Sequence, residues 1–293
     1  MLFSLLIANY NNGKFFRDCY ESIIAQTYAE WEAIIVDDGS TDDSVKVITA
    51  IIGNDKRFKF YTNDKNYGCG YTKRRCVELA SGDICGFVDA DDILLPLALE
   101  RMRFAYIGKS EAVLIHSNLI YCNETLQKQF VYPYAAAVSS TTAPFLNLDH
   151  RVTAFATFRR SAYLNTEGIE SYLQKAVDQD LYLKMYETGP FYFINEPLYL
   201  YRRHPESISA ESRMDKSQFW HWFVIMQTAK RRGINVDDIF MQFFINRKKY
   251  EKLEKKIQQN KLLKLYNSLS RLFDTSIEEK RIVDETIVAE EQQ

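Results

Sequence analysis

Through the first hundred residues the apolar positions fall in short unbroken runs separated by amphipathic stretches. The runs Phe3 to Ala8, Ala33 to Val36, Phe58 to Tyr61 and Ile84 to Val88 are apolar at successive positions, the pattern of strands covered on both faces. Between them, Lys14 to Ala25, Asp43 to Ile52 and Thr72 to Ala80 predict helices, with Asp42 or Thr41 as an N-cap and Gly82 as a C-terminal stop. This alternation predicts an α/β fold with a mainly parallel central sheet flanked by helices. Ligands of open α/β sheets bind at the carboxyl ends of the strands, so Asn9-Tyr10, Asp37-Asp38 and Asp89 to Asp92 become neighbours despite their distance in sequence.

From Glu111 to Tyr201 the pattern mixes strand-like runs, at Ala112 to Ile115, Thr153 to Phe158 and Phe191 to Ile194, with a helix near Asp178 to Glu187. Beyond Pro205 it turns helical and more charged, with an aromatic cluster at Phe219 to Phe223 and a basic stretch from Arg247 to Lys264. A boundary near Glu211 separates a domain over 1–210 from a helical C-terminal extension over 211–293. No repeat or low-complexity linker divides them.

Composition narrows the class. A net charge of −2 gives no global attraction to nucleic acid or to a membrane. Five cysteines, an odd number with no CxxC pair, argue against a disulfide framework and a cysteine zinc site, and favour a reducing, cytoplasmic setting. The apolar N-terminus lacks a basic leader and reads as a buried strand, and no run approaches the roughly 20 apolar residues of a membrane span.

Candidate chemistry concentrates at the strand ends. Phe87-Val88 runs into Asp89-Ala90-Asp91-Asp92, and hard carboxylate oxygens suit Mg²⁺ or Mn²⁺ carried with a substrate's phosphates. The plainer alternative is an acidic turn capping the next helix, but three carboxylates at a sheet's ligand edge repel one another without a cation. Asp37-Asp38-Gly39 offers an acceptor for a base N–H or a ribose hydroxyl, or simple turn chemistry. Tyr10 could stack on a nucleobase or form part of the rim. Asn66-Tyr67-Gly68-Cys69-Gly70 leads into Lys73, Arg74 and Arg75, a loop and cations that would suit phosphate.

The ordered set Ile7-Ala8-Asn9-Tyr10-Asn11, Val36-Asp37-Asp38-Gly39-Ser40-Thr41-Asp42, Asn66-Tyr67-Gly68, Ala80-Ser81-Gly82-Asp83 and Phe87-Val88-Asp89-Ala90-Asp91-Asp92 resembles the family 2 glycosyltransferases of the GT-A fold. The resemblance covers roughly the first two hundred residues. It implies an inverting enzyme whose 1–110 segment binds a nucleotide-diphosphate sugar, commonly a UDP-sugar, and whose 111–210 segment faces the acceptor. Donor contacts would come from Ala8, Tyr10 at the base, Asp38 at the base, Gly68, Asp89 near the ribose and Ala90. Asp91 would bind Mn²⁺ or Mg²⁺. Where the family often has Ala-Arg-Asn, this chain has Thr72-Lys73-Arg74, so Lys73 takes the place of the usual arginine.

Val177-Asp178-Gln179-Asp180-Leu181 resembles the family's Glu-Asp-x-Asp-Leu segment, with Val177 in place of the acidic residue, and so implies Asp178 as catalytic base; Asp180, two residues on and facing elsewhere on a helix, reads as a structural residue or an understudy to it. Tyr201-Arg202-Arg203-His204-Pro205-Glu206-Ser207-Ile208-Ser209 resembles a further element, in which His204 reaches the metal or diphosphate and Arg202 or Arg203 neutralises the leaving group.

The resemblance also implies a saccharide or lipid-linked acceptor and a place in cell-surface polysaccharide or glycoconjugate assembly. For the basic tail two readings stay open, contact with the inner face of an anionic membrane, or packing on the domain or a second subunit. A non-catalytic nucleotide-sugar binder is the rival class. A nucleotidyltransferase or P-loop enzyme is disfavoured, because Asn9-Tyr10-Asn11-Asn12-Gly13-Lys14 carries one glycine and no GxxxxGK[ST] occurs.

Overall fold

The computed structural model describes residues 1–138, 145–205 and 214–235, with the isolated positions 237, 252, 255 and 256. Packing divides the chain into a unit from Met1 to Gly233 and a second from Ile234 to Gln293. The basic stretch read over Arg247 to Lys264 lies almost entirely outside the described residues, as do Ser207 and Ser209.

The first unit is built on one sheet of nine strands: β1 (Phe3–Asn9), β2 (Trp31–Asp37), β3 (Phe58–Thr62), β4 (Ile84–Phe87), β5 (Ile93–Leu94), β6 (Leu114–Cys122), β7 (Lys128–Val131), β8 (Ala156–Arg159) and β9 (Phe191–Arg202). Their order is β3-β2-β1-β4-β8-β6-β9-β5, with β7 on β6. The β3-β2-β1-β4 half is parallel, as the apolar runs predict. Beyond it β8 joins β4 and β6 antiparallel, while β9 runs parallel to β6, so the sheet is mixed rather than mainly parallel.

Helices α1 (Phe16–Ile24), α2 (Ser44–Ile52), α3 (Cys69–Leu79), α4 (Ala98–Gly108), the short α5 (Arg160–Tyr163), α6 (Val177–Tyr186) and α7 (Met214–Arg232) complete it. β1 is buried on both faces and alternates between two cores: Phe3, Leu5 and Ile7 pack with Phe16, Cys19 and Ile23 of α1, while Leu6 packs with Ile34, Val36, Cys76 and Val77 on the other side. α1 turns Phe16, Cys19 and Ile23 inward at the spacing of one helix face.

Two cap readings change. α2 begins at Ser44, whose N–H donates to Asp42 Oδ1 over 2.9 Å. α3 ends at Leu79, before Gly82, and Gly82 serves packing: a Cβ there would come within 2.8 Å of Leu2 O and Ser4 N on β1. α7 starts past the boundary read near Glu211, yet packs with α6 inside the first unit.

Among the described residues no helix is long and apolar enough to cross a membrane. The five cysteines are free thiols, four of them buried.

Candidate active site

At the carboxyl edge of β1, β2 and β4 the chain opens into a cavity of about 750 Å³. Ala8, Tyr10, Asp38, Gly68, Lys73, Asp89, Ala90, Asp91 and Asp178 all line it. Parallel strands turn out of the sheet on one side, which is why Ala8, Asp38 and Asp89 line one cavity, and the start of α6 adds Asp178 to it.

The loops that form the wall are tied by carboxylates accepting backbone amides. Asp37 accepts from Ser40 N at 2.8 Å and from Asn9 Nδ2 at 2.7 Å, closing the turn after β2. Asp38 accepts at Oδ1 from Asn63 Nδ2 at 2.7 Å and Tyr67 N at 3.0 Å, and at Oδ2 from Gly68 N at 2.8 Å. A carboxylate has about four lone-pair positions, so Asp38 keeps one for a ligand N–H. Gly39 allows the approach: its φ is +68°, and a Cβ would come within 2.6 Å of the Lys65 carbonyl carbon. Tyr10 stands 43% exposed at the rim, its ring open to a planar partner.

Lys73 crosses the floor. Its Nζ lies 2.8 Å from Asp178 Oδ1 and 3.5 Å from Asp89 Oδ1, with the side chain 7% exposed. Burial works against its charge, but Asp178 and Asp89 outweigh it and hold the ammonium well above its ordinary range. Asp178 sits in the first turn of α6, reached through Ala176 at a φ of +57°, a left-handed conformation rare for alanine. Asp180 faces away and is buried, accepting from Glu170 N and from Lys184 Nζ, each at 3.0 Å, and so is a structural residue.

Behind the cavity lining His204 Nε2 lies 2.8 Å from Asp91 Oδ2. His204 does not itself line the cavity: it is buried behind Asp91 with its ring 4.6 Å from Phe15, and its Nδ1 has no hydrogen-bond partner. Among the described residues no group of three or more His, Cys, Asp or Glu could hold a metal. The donor set fits a cation that takes only one or two protein ligands. Adjacent donors on an octahedral ion with bonds of about 2.1 Å stand about 3 Å apart, close to the spacing of Asp91 and His204. Phosphate oxygens and water are the customary remaining ligands of such ions.

Arg202, expected at the diphosphate, is placed otherwise. Its Nε donates to Asp91 O at 2.7 Å, one terminal nitrogen to Glu124 O at 2.7 Å and the other to Asp18 Oδ2 at 2.6 Å, all behind the cavity wall. These bonds tie Arg202 to the Asp91 loop from behind, and it is absent from the cavity lining. Asp92 completes the brace, accepting from Arg202 N at 2.7 Å; burial first, then Asp91 and Asp89, push its carboxyl well above the usual range. Arg203 is exposed, with its guanidinium over the Tyr121 ring.

Sequence reasoning did not single out Asn63, which anchors Asp38, or Tyr199, whose hydroxyl accepts from Asp89 N at 3.0 Å. Asn63 could have been found as the second of two polar residues, Thr62-Asn63, that follow the third apolar run, at the same edge as Asp37.

The architecture is a GT-A nucleotide-binding fold with an acidic cluster at its ligand edge. Residues 4–165 match the model described as Glycosyl transferase family 2, and the chain belongs to that family. It is similar to the chondroitin synthase of Escherichia coli, 30% identical over 236 residues that span 80% of this chain and 33% of that one. The chain thus spans about a third of that relative's length. Among solved structures it is similar to S. aureus TarS 1–349 in complex with UDP, at TM-score 0.61 and 18% identity over 78% of this chain and 65% of that. It is also similar to glucosyl-3-phosphoglycerate synthase from Mycobacterium tuberculosis in complex with Mn²⁺, UDP and glucosyl-3-phosphoglycerate, at TM-score 0.56 and 18% identity over 80% of this chain and 81% of that.

Proposed function

We propose that this chain transfers a sugar, with inversion, from a UDP-sugar to an acceptor hydroxyl in the assembly of a cell-surface polysaccharide or glycoconjugate. The observation that carries the reading is the cavity itself, whose lining gathers Asp178, Asp89 and Asp91, with Lys73 between Asp178 and Asp89 and His204 held behind Asp91. One-step inversion requires a base on the acceptor side and charge stabilisation at the leaving group. The family, the synthase relative and the UDP complexes of two structural neighbours support the same donor chemistry.

In this reading Tyr10 stacks on the base and Asp38 accepts a base N–H with its remaining lone pair, while Ala8, Gly68 and Ala90 let the nucleotide approach the backbone. Asp89 faces the ribose. Asp178 Oδ takes the acceptor hydroxyl's proton as that oxygen attacks the anomeric carbon. Lys73 holds the Asp178 carboxylate in place across the floor. Asp91 and His204 would hold Mn²⁺ or Mg²⁺, which when bound neutralises charge on the departing diphosphate.

Release of nucleoside diphosphate from a panel of UDP-, GDP- and dTDP-sugars, with and without Mn²⁺, tests the reading. Metal-dependent release of UDP by the wild type, lost in Asp91→Ala, is expected. Donor turnover unaffected by the metal and by the substitution would overturn the ligand assignment, and tight UDP binding with no turnover on any donor and acceptor would favour a binding protein.

A further inference from the structure

We propose that a track of aromatic rings leading from the cavity wall onto the β6–β7 hairpin is a saccharide-binding surface, which holds an oligosaccharide acceptor beyond the residue being extended. The acceptor role rests on the transferase reading above; the saccharide chemistry rests on the geometry alone.

Tyr201 on β9 lines the cavity. It is paired in register with Tyr121 on β6, and Tyr121 with Phe130 on β7. Residues directly across neighbouring strands project to one face, so the three rings stand in a row across the sheet. Ring centroids are 5.3 Å apart for Tyr201 and Tyr121 and 5.1 Å for Tyr121 and Phe130. Tyr121 also meets Tyr132 at 5.8 Å, and Tyr132 meets Tyr134 at 5.5 Å.

The row rises outward. Tyr121, Tyr132 and Tyr201 are half-buried against the core, whereas Phe130 is 49% and Tyr134 65% exposed. An aromatic cluster made only for packing would close over its own rings; this one is open to the cavity at its inner end and to solvent at its outer end. A pyranose presents a flat patch of C–H groups edged by hydroxyls. The electron-rich face of an aromatic ring attracts the C–H patch, and tyrosine hydroxyls can pair with the edge. The Arg203 guanidinium over Tyr121, centred 5.7 Å from the ring, adds donors for sugar hydroxyls beside the track. A lipid surface would call for a cluster of basic residues beside the rings, whereas Arg203 stacks on Tyr121 and β7 supplies one further cation, Lys128.

The test uses the full chain and the variants Phe130→Ala and Tyr134→Ala, both at exposed positions outside the proposed catalytic set. Binding to an array of printed mono- to octasaccharides is measured beside metal-dependent UDP-sugar hydrolysis, and sedimentation velocity gives the oligomeric state. The wild type is expected to retain oligosaccharides, each variant to lose apparent affinity about three- to tenfold, and hydrolysis to stay at the wild-type rate. Equal glycan binding by wild type and variants would overturn the proposal, as would a wild type that hydrolyses donor yet binds no printed glycan. A shift from dimer to monomer in the variants with glycan binding intact would assign the rings to a second copy of the chain and also overturn it. Glycan binding lost in the variants, in a wild type that turns over no donor, would sink the transferase reading and leave the saccharide surface standing.

Discussion

In the half of the sheet built on β1–β4, buried carboxylates are satisfied mostly by uncharged donors, backbone amides with side-chain amides and hydroxyls: Asp37 by Ser40 N and Oγ and Asn9 Nδ2, Asp38 by Tyr67 N, Gly68 N and Asn63 Nδ2, and Glu32 by Ser4 and Ser81 together with Lys59. In the half built on β6, β9, α6 and α7 basic side chains meet the carboxylates, the buried Asp180, the half-buried Glu170 and the exposed Glu187 alike. Lys184 bridges Asp180 and Glu170, and Arg231 and Arg232 both reach Glu187. The first device fixes loops and, at Asp38, leaves a lone pair available for a ligand; the second clamps helices. Lys73 belongs to both, a cation from α3 that reaches Asp178 at the start of α6. The half that holds Asp38 and the half that holds Asp178 are therefore joined by an ion pair.

The largest effect falls on that joint. Asp178→Asn keeps the volume and a hydrogen-bonding group but removes the proton acceptor, so kcat for transfer is expected to drop about 10²- to 10⁴-fold. The dissociation constant for UDP, read by calorimetry, stays at the wild-type value. Turnover near the wild-type rate would reduce the Lys73–Asp178 pair to a structural clamp.

Next comes the clamp of the second half. Lys184→Met strands the buried Asp180 carboxylate, and breaking such a pair costs about 3–5 kcal/mol of unfolding free energy in a denaturant titration. Asp180→Leu combined with Lys184→Met should recover most of that loss, because the pair's worth lies in mutual compensation. If the double variant is no better than the single, the hydrogen bonds to Glu170 N and Gly168 O carry the region instead.

The amide-bound carboxylates should behave differently. Asp38→Ala leaves the N–H groups of Tyr67 and Gly68 and the Asn63 amide without their acceptor, at about 1–3 kcal/mol. Its main signature should be weaker UDP binding with kcat retained at saturating donor. A kcat loss as deep as that of Asp178→Asn would erase the distinction between the two halves.

The same contrast explains what could be read in advance. β1 and β2 are visible in the sequence because helices cover both faces, and the polar residues that end them sit one step past the last apolar position. Their neighbours Asp38, Asp89 and Asp91 follow, and the structure brings them with Lys73 and Asp178 to one cavity. The second half hides its logic in pairings between distant segments. β9 continues to Arg202 although Asn195-Glu196-Pro197 looks like a break; Pro197 is accommodated where its register with β6 shifts at Asn118. α3 starts at Cys69 rather than Thr72 because Gly70 packs against the 170–173 segment, where a Cβ would come within 2.4 Å of Glu170 O. Arg202 reads as a free cation in sequence and is spent on two carbonyls and Asp18, partners no local pattern reveals.

The smallest effects, and the finest division between the halves, lie in acid. In the first half, burial works to raise the Glu32 carboxyl, but hydrogen bonds from Lys59, Ser4 and Ser81 overcome it and lower it from 4.5 to about 2. A depressed carboxyl stabilises the fold above the unfolded value, so this contribution is complete above pH 4.5 and is lost as pH falls toward 2. In the second half, His116 on β6 is buried with both ring nitrogens lacking partners, and burial lowers it from 6.5 to about 3. The unfolded chain takes up that proton below pH 6.5 while the folded chain refuses it until about 3, so stability begins to fall two units earlier on this side. Hydrogen exchange followed from pH 7 to pH 4.5 should show β6 and β9 losing protection before β1 and β2. His116→Phe should lessen the loss between pH 6.5 and 4.5, leaving the part due to His221, which burial and then His150 lower from 6.5 to about 4, and Glu32→Gln should lessen only the loss below it. Uniform loss of protection across the sheet would mean that the two halves open as one cooperative unit, and that their different ways of satisfying buried charge shape the site without dividing the fold.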